Sequence, residues 1–177
     1  MAELIAPTAR LHRAWLDSRD EWGRDTHQDG AGLRAGDEVD TPDGFAAWVR
    51  RLLGESDPAN PVPEGWVHCT YWWIVEDGEV KGAIALRHEL NDFLERAGGH
   101  IGYGVRPSAR RRGLASFALG EVLRHAGKLG LNRVLITCNV ANDASRRVIE
   151  RNGGVLEDIR DTEIGRLRRY WIDVSGD

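Results

Sequence analysis

The chain has 177 residues, of which 41% are hydrophobic and 29% are charged, and its formal net charge is −4. This composition is typical of a soluble globular protein, and the length is enough for one hydrophobic core. The acidic balance argues against general nucleic-acid binding. No stretch reaches the roughly 20 apolar residues of a membrane span, and no basic segment followed by an apolar run opens the chain. We therefore expect one cytoplasmic domain, residues 1–177, with no membrane or nucleic-acid partner.

The two cysteines, Cys69 and Cys138, lie far apart, and neither belongs to a pair with the spacing of metal ligands. Cysteines in a chain without a secretory signal are usually reduced. We expect two thiols in the core and no metal site.

The first third of the chain predicts two helices separated by a long loop. Thr8 is a typical N-cap for a helix that runs toward Trp22, and Thr41-Pro42 opens a second helix. Between them, residues 23–39 are rich in Gly and Asp and show no periodicity. A long irregular loop in a compact domain is often functional.

The rest of the chain predicts mainly strands. Apolar runs at residues 69–75 and 80–87 flank Asp77-Gly78, which is a strong signal for a β-hairpin. The remaining elements are an edge strand at 4–6, a loop or short helix at 91–99, strands at 100–105 and 133–138, helices at 114–129 and 143–151, and strands at 155–160 and 168–174. This order predicts an α/β fold in which about four helices flank a mixed, mostly antiparallel sheet.

The turn after the strand at 100–105 carries the strongest functional signal. Three consecutive arginines and a glycine follow a proline there, and an amphipathic helix then begins. Backbone N–H groups at a helix start have no intrahelical acceptor, and a glycine lets an anion approach them closely. We expect this turn to bind a phosphate or pyrophosphate through the backbone N–H groups of Arg111, Arg112, Gly113, Leu114 and Ala115, with Arg110 in support.

The turn lacks the ending of a Walker A loop and the glycines of a dinucleotide fingerprint. A solvated basic helix start is the alternative interpretation. The spacing Arg110-x-x-Gly113-x-Ala115 between a strand and a helix resembles the pyrophosphate loop of the GCN5-related N-acetyltransferases (GNAT). This resemblance implies a sheet that splays open between its fourth and fifth strands, here residues 100–105 and 133–138, with acetyl-CoA in the gap. The backbone of Val105 would then pair with the pantetheine amides of the cofactor.

A second segment supports the resemblance. Asn142, Ser145 and Gly153 match an Asn, a small residue and a Gly on the helix that family members place beside the pantetheine arm of the cofactor. The resemblance implies that Asn142 contacts this arm, while capping of the helix by Asn142 or Asp143 is the alternative, and the two roles are compatible. The chain also resembles a subgroup of predicted acetyltransferases without an assigned substrate, through Gly98-Gly99-His100-Ile101-Gly102-Tyr103 and Arg169-Tyr170-Trp171-Ile172.

One position departs from the family pattern. Many members carry a Tyr seven residues after the Asn, where its hydroxyl protonates the leaving thiolate, and here Ile149 stands at that position. The branch that acetylates protein N-termini has an Asn-x-x-Ser-Arg pattern, which implies Ser145 as the acid. A thiolate with a pKa of about 8.5 leaves with modest help. The departure also leaves open a non-catalytic sensor that binds coenzyme A on the same fold.

Acyl transfer to an amine requires a group that accepts the proton of the amine. His88, Glu89 and His100 lie where the third strand ends and the fourth begins. An imidazole titrates at about 6.5 and suits this task, whereas Glu89 would require burial. The alternative is that these are ordinary polar residues at strand ends. Tyr103, in the fourth strand, is interpreted as a packing residue.

The sequence thus predicts an N-acetyltransferase that moves an acetyl group from acetyl-CoA to a primary amine by direct attack. Residues 4–65 would supply acceptor-side helices and loops, and residues 66–174 the sheet and the cofactor site. The acceptor pocket would come from residues 23–39 and 91–99. The seven tryptophans are expected mainly in the core, with a pocket wall or a homodimer contact left open for a few. A nucleic-acid site at the arginines is disfavoured by the acidic charge.

Overall fold

The computed structural model describes residues 1–174, which contain seven strands and four α-helices. The strands are β1 (Glu3–Ile5), β2 (Cys69–Glu76), β3 (Glu79–Arg87), β4 (Ile101–Val105), β5 (Arg133–Asn139), β6 (Val155–Thr162) and β7 (Gly165–Asp173). The helices are α1 (His12–Trp22), α2 (Pro42–Gly54), α3 (Leu114–Lys128) and α4 (Asp143–Arg151). Short 3₁₀ turns at Ala9–Leu11 and Pro107–Ala109 and a π turn at Leu94–Gly98 connect them.

The strands form two antiparallel sheets with the orders β1-β2-β3-β4 and β5-β7-β6. Among residues 1–174, no ladder of hydrogen bonds joins β4 to β5. The backbone hydrogen bond found here within the described residues lies just before β4, where the N–H of His100 donates to the carbonyl of Leu135 at 2.7 Å. The predicted α/β fold, with a sheet that opens between the fourth and fifth strands, is confirmed.

Capping side chains account for where α2 and α4 begin, whereas Thr8 caps the 3₁₀ turn that precedes α1. The Thr41 hydroxyl accepts from the N–H of Gly44 at 3.1 Å, and the Asn142 side chain accepts from the N–H of Ser145 at 3.0 Å. Each contact satisfies one of the free donors of a helix start. The predicted bounds of α4 agree with the structure.

Turns fix the two hairpins. Asp77 and Gly78 have φ values of 52° and 76°, as a two-residue hairpin turn requires. The second hairpin is tighter than predicted, and β7 begins at Gly165 rather than at residue 168. There the hydroxyl of Thr162 donates to the carbonyl of Gly165 at 2.7 Å.

The two faces of the first sheet are covered by different helices. One face packs on α3 and α4 in a core that includes Ile84, Leu119 and Ile149. The opposite face packs on α1 and α2 in a core with many aromatic rings, namely Trp15, Phe45, Trp48 and Trp73. The two cysteines are buried free thiols, as predicted. None of the helices within residues 1–174 has the length and apolar character needed to cross a bilayer.

Candidate active site

The gap between β4 and β5 is closed at one end by His100. Its side chain is only 5% exposed, and its Nδ1 accepts from the N–H of Leu135 at 2.9 Å. Burial, and then the nearby charge of Arg87, lower the pKa of His100 to about 4. This geometry favours a structural role for His100, in which a neutral imidazole links the two sheets. It disfavours the role of a base that is open to substrate.

Beyond His100, the edge of β4 that faces β5 is open. The N–H of Arg106 donates to the carbonyl of Lys81 at 2.8 Å, so Arg106 faces β3. Since backbone groups alternate in direction along an antiparallel strand, Gly104 also faces β3. The N–H groups of Tyr103 and Val105 are therefore directed into the gap.

The basic loop, which we define as residues 106–113, follows β4 and presents a row of free donors. Within residues 1–174, no acceptor reaches the backbone N–H groups of residues 111–116. Arg111 and Gly113 have positive φ values of 62° and 77°, which turn successive N–H groups into an anion-binding concavity. A Cβ built on Gly113 would meet no atom within 4 Å. The site therefore has room for a phosphate at the backbone.

The arginines of the basic loop have different surroundings. The Nε of Arg110 donates to the carbonyl of Val105 at 3.0 Å, and its guanidinium lies 5.0 Å from the centre of a Trp22 ring. Arg112 pairs with Glu76 at 2.7 Å. Arg111 is exposed, with no ion pair in the described part of the chain. Arg110 thus supports the backbone of the basic loop, whereas the charge of Arg111 is available to attract an anion.

Glu21, at the end of α1, holds the basic loop in place. Its carboxylate accepts from the N–H and the hydroxyl of Ser108, the latter at 2.9 Å, and it pairs with Arg106. Burial opposes ionisation, but these hydrogen bonds outweigh it and lower the pKa of Glu21. Sequence reasoning missed this residue because it lies far from Ser108 along the chain, and no local signal marks it.

On the opposite side of the gap, α4 presents Asn142 and Ser145. The Asn142 oxygen is used as the cap of α4, which leaves its amide NH₂ free for a ligand. The Ser145 hydroxyl lies 2.7 Å from the hydroxyl of Tyr103, across the gap. Ile149, one turn further along α4, is fully buried. The sequence missed the contact of the Tyr103 hydroxyl with Ser145, although it placed both residues beside the cleft.

The other two candidate bases lie at the end of β3. His88 is half-buried, and its Nε2 lies 2.8 Å from the hydroxyl of Thr70. Burial, and then the neighbouring His68, lower the pKa of His88, so its ring is neutral at pH 7. Glu89 is exposed. The structure thus places His88 beside Thr70 and His68, on the β2 side of β3, and Glu89 on the surface, whereas His100 lies in the core.

The loop between α1 and α2, residues 23–41, lies on the α1–α2 face of β4. A Cβ added to Gly104 would lie 3.3 Å from the carbonyl of Asp29 and from the ring of Trp22, and a Cβ added to Gly102 would lie 3.4 Å from the nitrogen of Gly30. Gln28 has a buried amide nitrogen without a partner in the described residues. Such donors are usually satisfied by water or a ligand. This loop therefore packs directly against the backbone of this face of β4.

Buried charges hold that loop in place. Glu55, at the end of α2, accepts from Arg34 and Arg51 at 2.7 Å and from the hydroxyl of Tyr71 at 2.8 Å. Because every oxygen of the carboxylate is paired, its burial does not leave an unsatisfied charge. No cluster of metal-binding side chains occurs within residues 1–174.

Comparisons with known proteins agree with this geometry. The sequence profile of the Acetyltransferase (GNAT) domain matches residues 16–155. No curated protein sequence matches the chain significantly.

Three solved structures show the likeness of the fold. RimL, a ribosomal-protein alpha-N-acetyltransferase in complex with coenzyme A, has 20% identity and a TM-score of 0.72, over 99% of this chain and 96% of that one. RimJ of Mycobacterium smegmatis with a coenzyme A disulfide has 20% identity and a TM-score of 0.73, over 97% and 81%. The spermidine/spermine N-acetyltransferase SpeG of Vibrio cholerae has 14% identity and a TM-score of 0.64, over 99% and 96%.

The profile spans most of the chain, and the fold, the open edge of β4 and the free donors of the basic loop agree with it. The protein belongs to the GNAT family of acetyl-CoA-dependent N-acetyltransferases.

Proposed function

We propose that the protein transfers the acetyl group of acetyl-CoA to a primary amine by direct attack. The observation that carries the proposal is the row of free backbone N–H groups at residues 111–116, which continues the open edge of β4. The pyrophosphate of the cofactor would bind to these donors, with Arg111 adding positive charge. Gly113 leaves the space that a close approach to the backbone requires.

The pantetheine arm would lie along the open edge of β4, as an added strand does. The N–H of Val105 and the amide of Asn142 are donors toward this arm, whereas the Val105 carbonyl already accepts from Arg110. Arg112 would contribute less than Arg111 because it is paired with Glu76. Leu114 is buried and Ala115 half-buried, so both would contribute through backbone groups only.

The N–H of Tyr103 would polarise the carbonyl of the thioester. It points into the gap where β5 provides no acceptor, so it is free to stabilise the negative charge of the tetrahedral intermediate. The amine would approach beside residues 28–30 of the α1–α2 loop, which pack against the backbone of Gly102 and Gly104. Its nitrogen forms the new C–N bond, the C–S bond breaks, and coenzyme A leaves as its thiolate.

The proton of the amine requires an acceptor, and His88 is the residue that we favour. Its ring is neutral at pH 7 because burial lowers its pKa. If Nε2–H donates to Thr70, the Nδ1 lone pair accepts a proton directly or through water. Glu89 is exposed to solvent. His100 is buried, and its Nδ1 already accepts from Leu135.

The acceptor is an amine whose surroundings come from residues 23–41 and from the π turn at Leu94–Gly98. The enzymes of similar fold are named for chemically different amines, among them a ribosomal protein alpha-amine and spermidine. The shared chemistry is an unhindered primary amine, and this is the class of acceptor that we propose.

A thiol-release assay tests the proposal. The purified protein is incubated with acetyl-CoA and with separate panels of polyamines, amino acids and peptides with free N-termini. We expect at least one panel to release free thiol at a rate that is proportional to the protein concentration. Turnover of any amine rejects a pure coenzyme A sensor, and binding of coenzyme A with no turnover across all panels contradicts the proposed transfer.

A further inference from the structure

Arg87, the last residue of β3, lies beside both segments that we propose around the acceptor. Along β3, the side chains of Ala83, Ala85 and Arg87 alternate onto the face that α1 and α2 cover. A Cβ added to Gly102 of β4 would lie 3.8 Å from the Nη2 of Arg87 and 3.4 Å from the nitrogen of Gly30. The guanidinium therefore lies next to the backbone of β4, at the place where the α1–α2 loop packs against it.

One end of this guanidinium holds the π turn. Its Nη1 donates to the carbonyls of Gly98 and Gly99 at 3.0 Å and 3.1 Å. Within residues 1–174, no acceptor reaches its Nε or its Nη2, and no carboxylate pairs with it. Solvent reaches both of these nitrogens, because the fully buried side-chain nitrogens without a partner in this part of the chain belong to Gln28 and Trp73. Arg87 therefore keeps its Nε and Nη2 donors available for a ligand.

The free edge of Arg87 has the shape that binds a carboxylate. In a planar guanidinium, the N–H of Nε and one N–H of Nη2 point in the same direction, and this pair matches the two oxygens of a carboxylate. Because two backbone carbonyls fix Nη1, the plane of the guanidinium is set before a ligand arrives. Less conformational entropy is then lost on binding than with a freely moving arginine.

The charge of Arg87 is not balanced by other residues. Four other partly buried charges on the α1–α2 side of the sheet balance one another, because Arg34 and Arg51 pair with Asp37 and Glu55. Arg87 adds a positive charge to this side and has no counter-ion in the part of the chain that the structure describes. A partly buried charge of this kind favours a ligand of opposite sign.

We propose that Arg87 binds a carboxylate of the acceptor, and that the acceptor is a free amino acid whose amine stands next to this carboxylate. The inference deepens the proposed function and rests on it. Gly102 immediately precedes Tyr103, whose N–H would polarise the thioester, so a carboxylate held at Arg87 keeps its own amine close to the acetyl group. A peptide N-terminus has an amide in place of this carboxylate and would lose the charged pair.

Acceptors that differ at a single group test the inference. The rate of thiol release is measured with the standard amino acids, with their amides, and with the amines that lack the carboxyl group. For the amino acids that are acetylated, we expect kcat/KM to be about tenfold to a hundredfold higher than for their amides, mainly through a lower KM for the acceptor. Calorimetry on the complex with coenzyme A then compares N-acetyl amino acids with their amides, in which no amine titrates.

Three variants separate recognition of the carboxylate from support of the π turn. Arg87→Gln should bring the preference for the acid close to one, and Arg87→Lys should retain part of it, because it keeps the charge without the paired donors. Gly102→Ala leaves the guanidinium in place but adds a methyl group beside Nη2, so it should also reduce the preference. Arg124→Gln is the control, because it removes the same charge from the exposed side of α3 and should leave the preference unchanged.

Melting curves show that each variant is folded, and the ratio of acid to amide decides the outcome. A preference in wild type and Arg124→Gln that disappears in Arg87→Gln supports the inference. If Arg87→Gln slows acids and amides equally, Arg87 has a structural role alone and the inference is overturned. It is also overturned if wild type prefers amides, polyamines or peptides, although acetyl transfer then stands, or if it prefers O-phosphoethanolamine, which would assign the free edge to a phosphate. Absence of turnover with every amine contradicts the proposed function, and the inference falls with it.

Discussion

His100 and Leu135 form a reciprocal pair, in which the His100 N–H donates to the Leu135 carbonyl at 2.7 Å and the His100 Nδ1 accepts from the Leu135 N–H at 2.9 Å. Protonation would turn Nδ1 into a donor that faces another donor. The tie between the two sheets therefore requires a neutral ring, which agrees with a pKa of about 4 for this buried group.

We expect the free energy of unfolding to fall between pH 6.5 and pH 4. The pKa of His100 is about 4 in the folded protein, against about 6.5 for an unfolded histidine. Between these values the unfolded chain binds more protons, so stability is complete above the upper value and is lost toward the lower one. The loss amounts to about 3 kcal/mol. Denaturant titrations across this range measure it.

Two variants separate this effect from other titrations. His100→Asn places an oxygen near the position of Nδ1 and does not titrate, so its stability should depend less on pH in this window. His100→Leu leaves the N–H of Leu135 without an acceptor and should be destabilised at every pH. Equal pH dependence in wild type and His100→Asn would contradict the assignment.

Replacing Gly113 by valine should weaken binding of coenzyme A by tenfold or more. The left-handed conformation of Gly113, with φ of 77°, costs a branched side chain about 1 to 2 kcal/mol, and the valine fills the space at the free N–H groups. Gly78→Val is a matched control, because Gly78 has φ of 76° and equally open surroundings in the β2–β3 turn. Calorimetry and melting curves should show similar destabilisation but a loss of affinity for Gly113→Val alone. Equal affinity in both variants would exclude the basic loop as the pyrophosphate site.

Removing the carboxylate of Glu21 should also weaken cofactor binding, although Glu21 contacts no ligand. Its bonds to Ser108 and Arg106 hold the backbone of the basic loop. The substitution Glu21→Ala should therefore leave the backbone N–H groups of residues 111–116 less well ordered. We expect a several-fold rise in Kd for coenzyme A. Glu76→Gln is the control, because Glu76 contacts only the side chain of Arg112 in this loop, and its Kd should stay close to wild type. The opposite order of effects would contradict this role of Glu21.

Replacement of Cys138 by serine should leave kcat within about threefold of wild type. Direct attack needs no enzyme nucleophile, and burial raises the pKa of Cys138, which keeps it a neutral thiol at pH 7. Mass spectrometry of the wild-type protein after incubation with acetyl-CoA should find no acetylated cysteine. An acetyl-enzyme at Cys138 that disappears on addition of amine would replace direct attack with a covalent route.

Among the candidate bases, His88→Asn should lower kcat the most, by about a hundredfold. The acid limb of the wild-type pH profile should lie below about 6.5, because burial lowers the pKa of His88. Glu89→Gln and His100→Asn should retain most of the turnover at pH 7.5. If all three variants keep the wild-type kcat and its pH profile, ordered water accepts the proton of the amine and none of these side chains is the base.

The features that the sequence predicted are those with local chemical signals. Asn142 caps α4, Asp77-Gly78 turns the first hairpin, and the glycine and arginines of the basic loop stand next to one another. Each of these depends on a few adjacent residues, so a single sequence is enough to find it.

The contacts that the sequence did not predict join distant segments. Glu21 meets Ser108, Tyr103 meets Ser145, and His100 meets Leu135, and each pair forms only when separate elements pack together. His100 also illustrates how burial changes an interpretation. A histidine at a strand end suggests a base, but whether its nitrogen is open to substrate depends on which strand lies beside it.

Gly102 and Gly104 have a wider consequence for how enzymes of this shape diversify. They leave one face of β4 as bare backbone, and the residues that rest on it come from a loop outside both sheets. A lineage can therefore exchange this loop for one of another length or charge without disturbing the machinery that holds the acetyl donor. Under the proposed function, changes in residues 23–41 would alter which amines are accepted without changing either sheet, and this segment is the natural place to redesign the enzyme's selectivity.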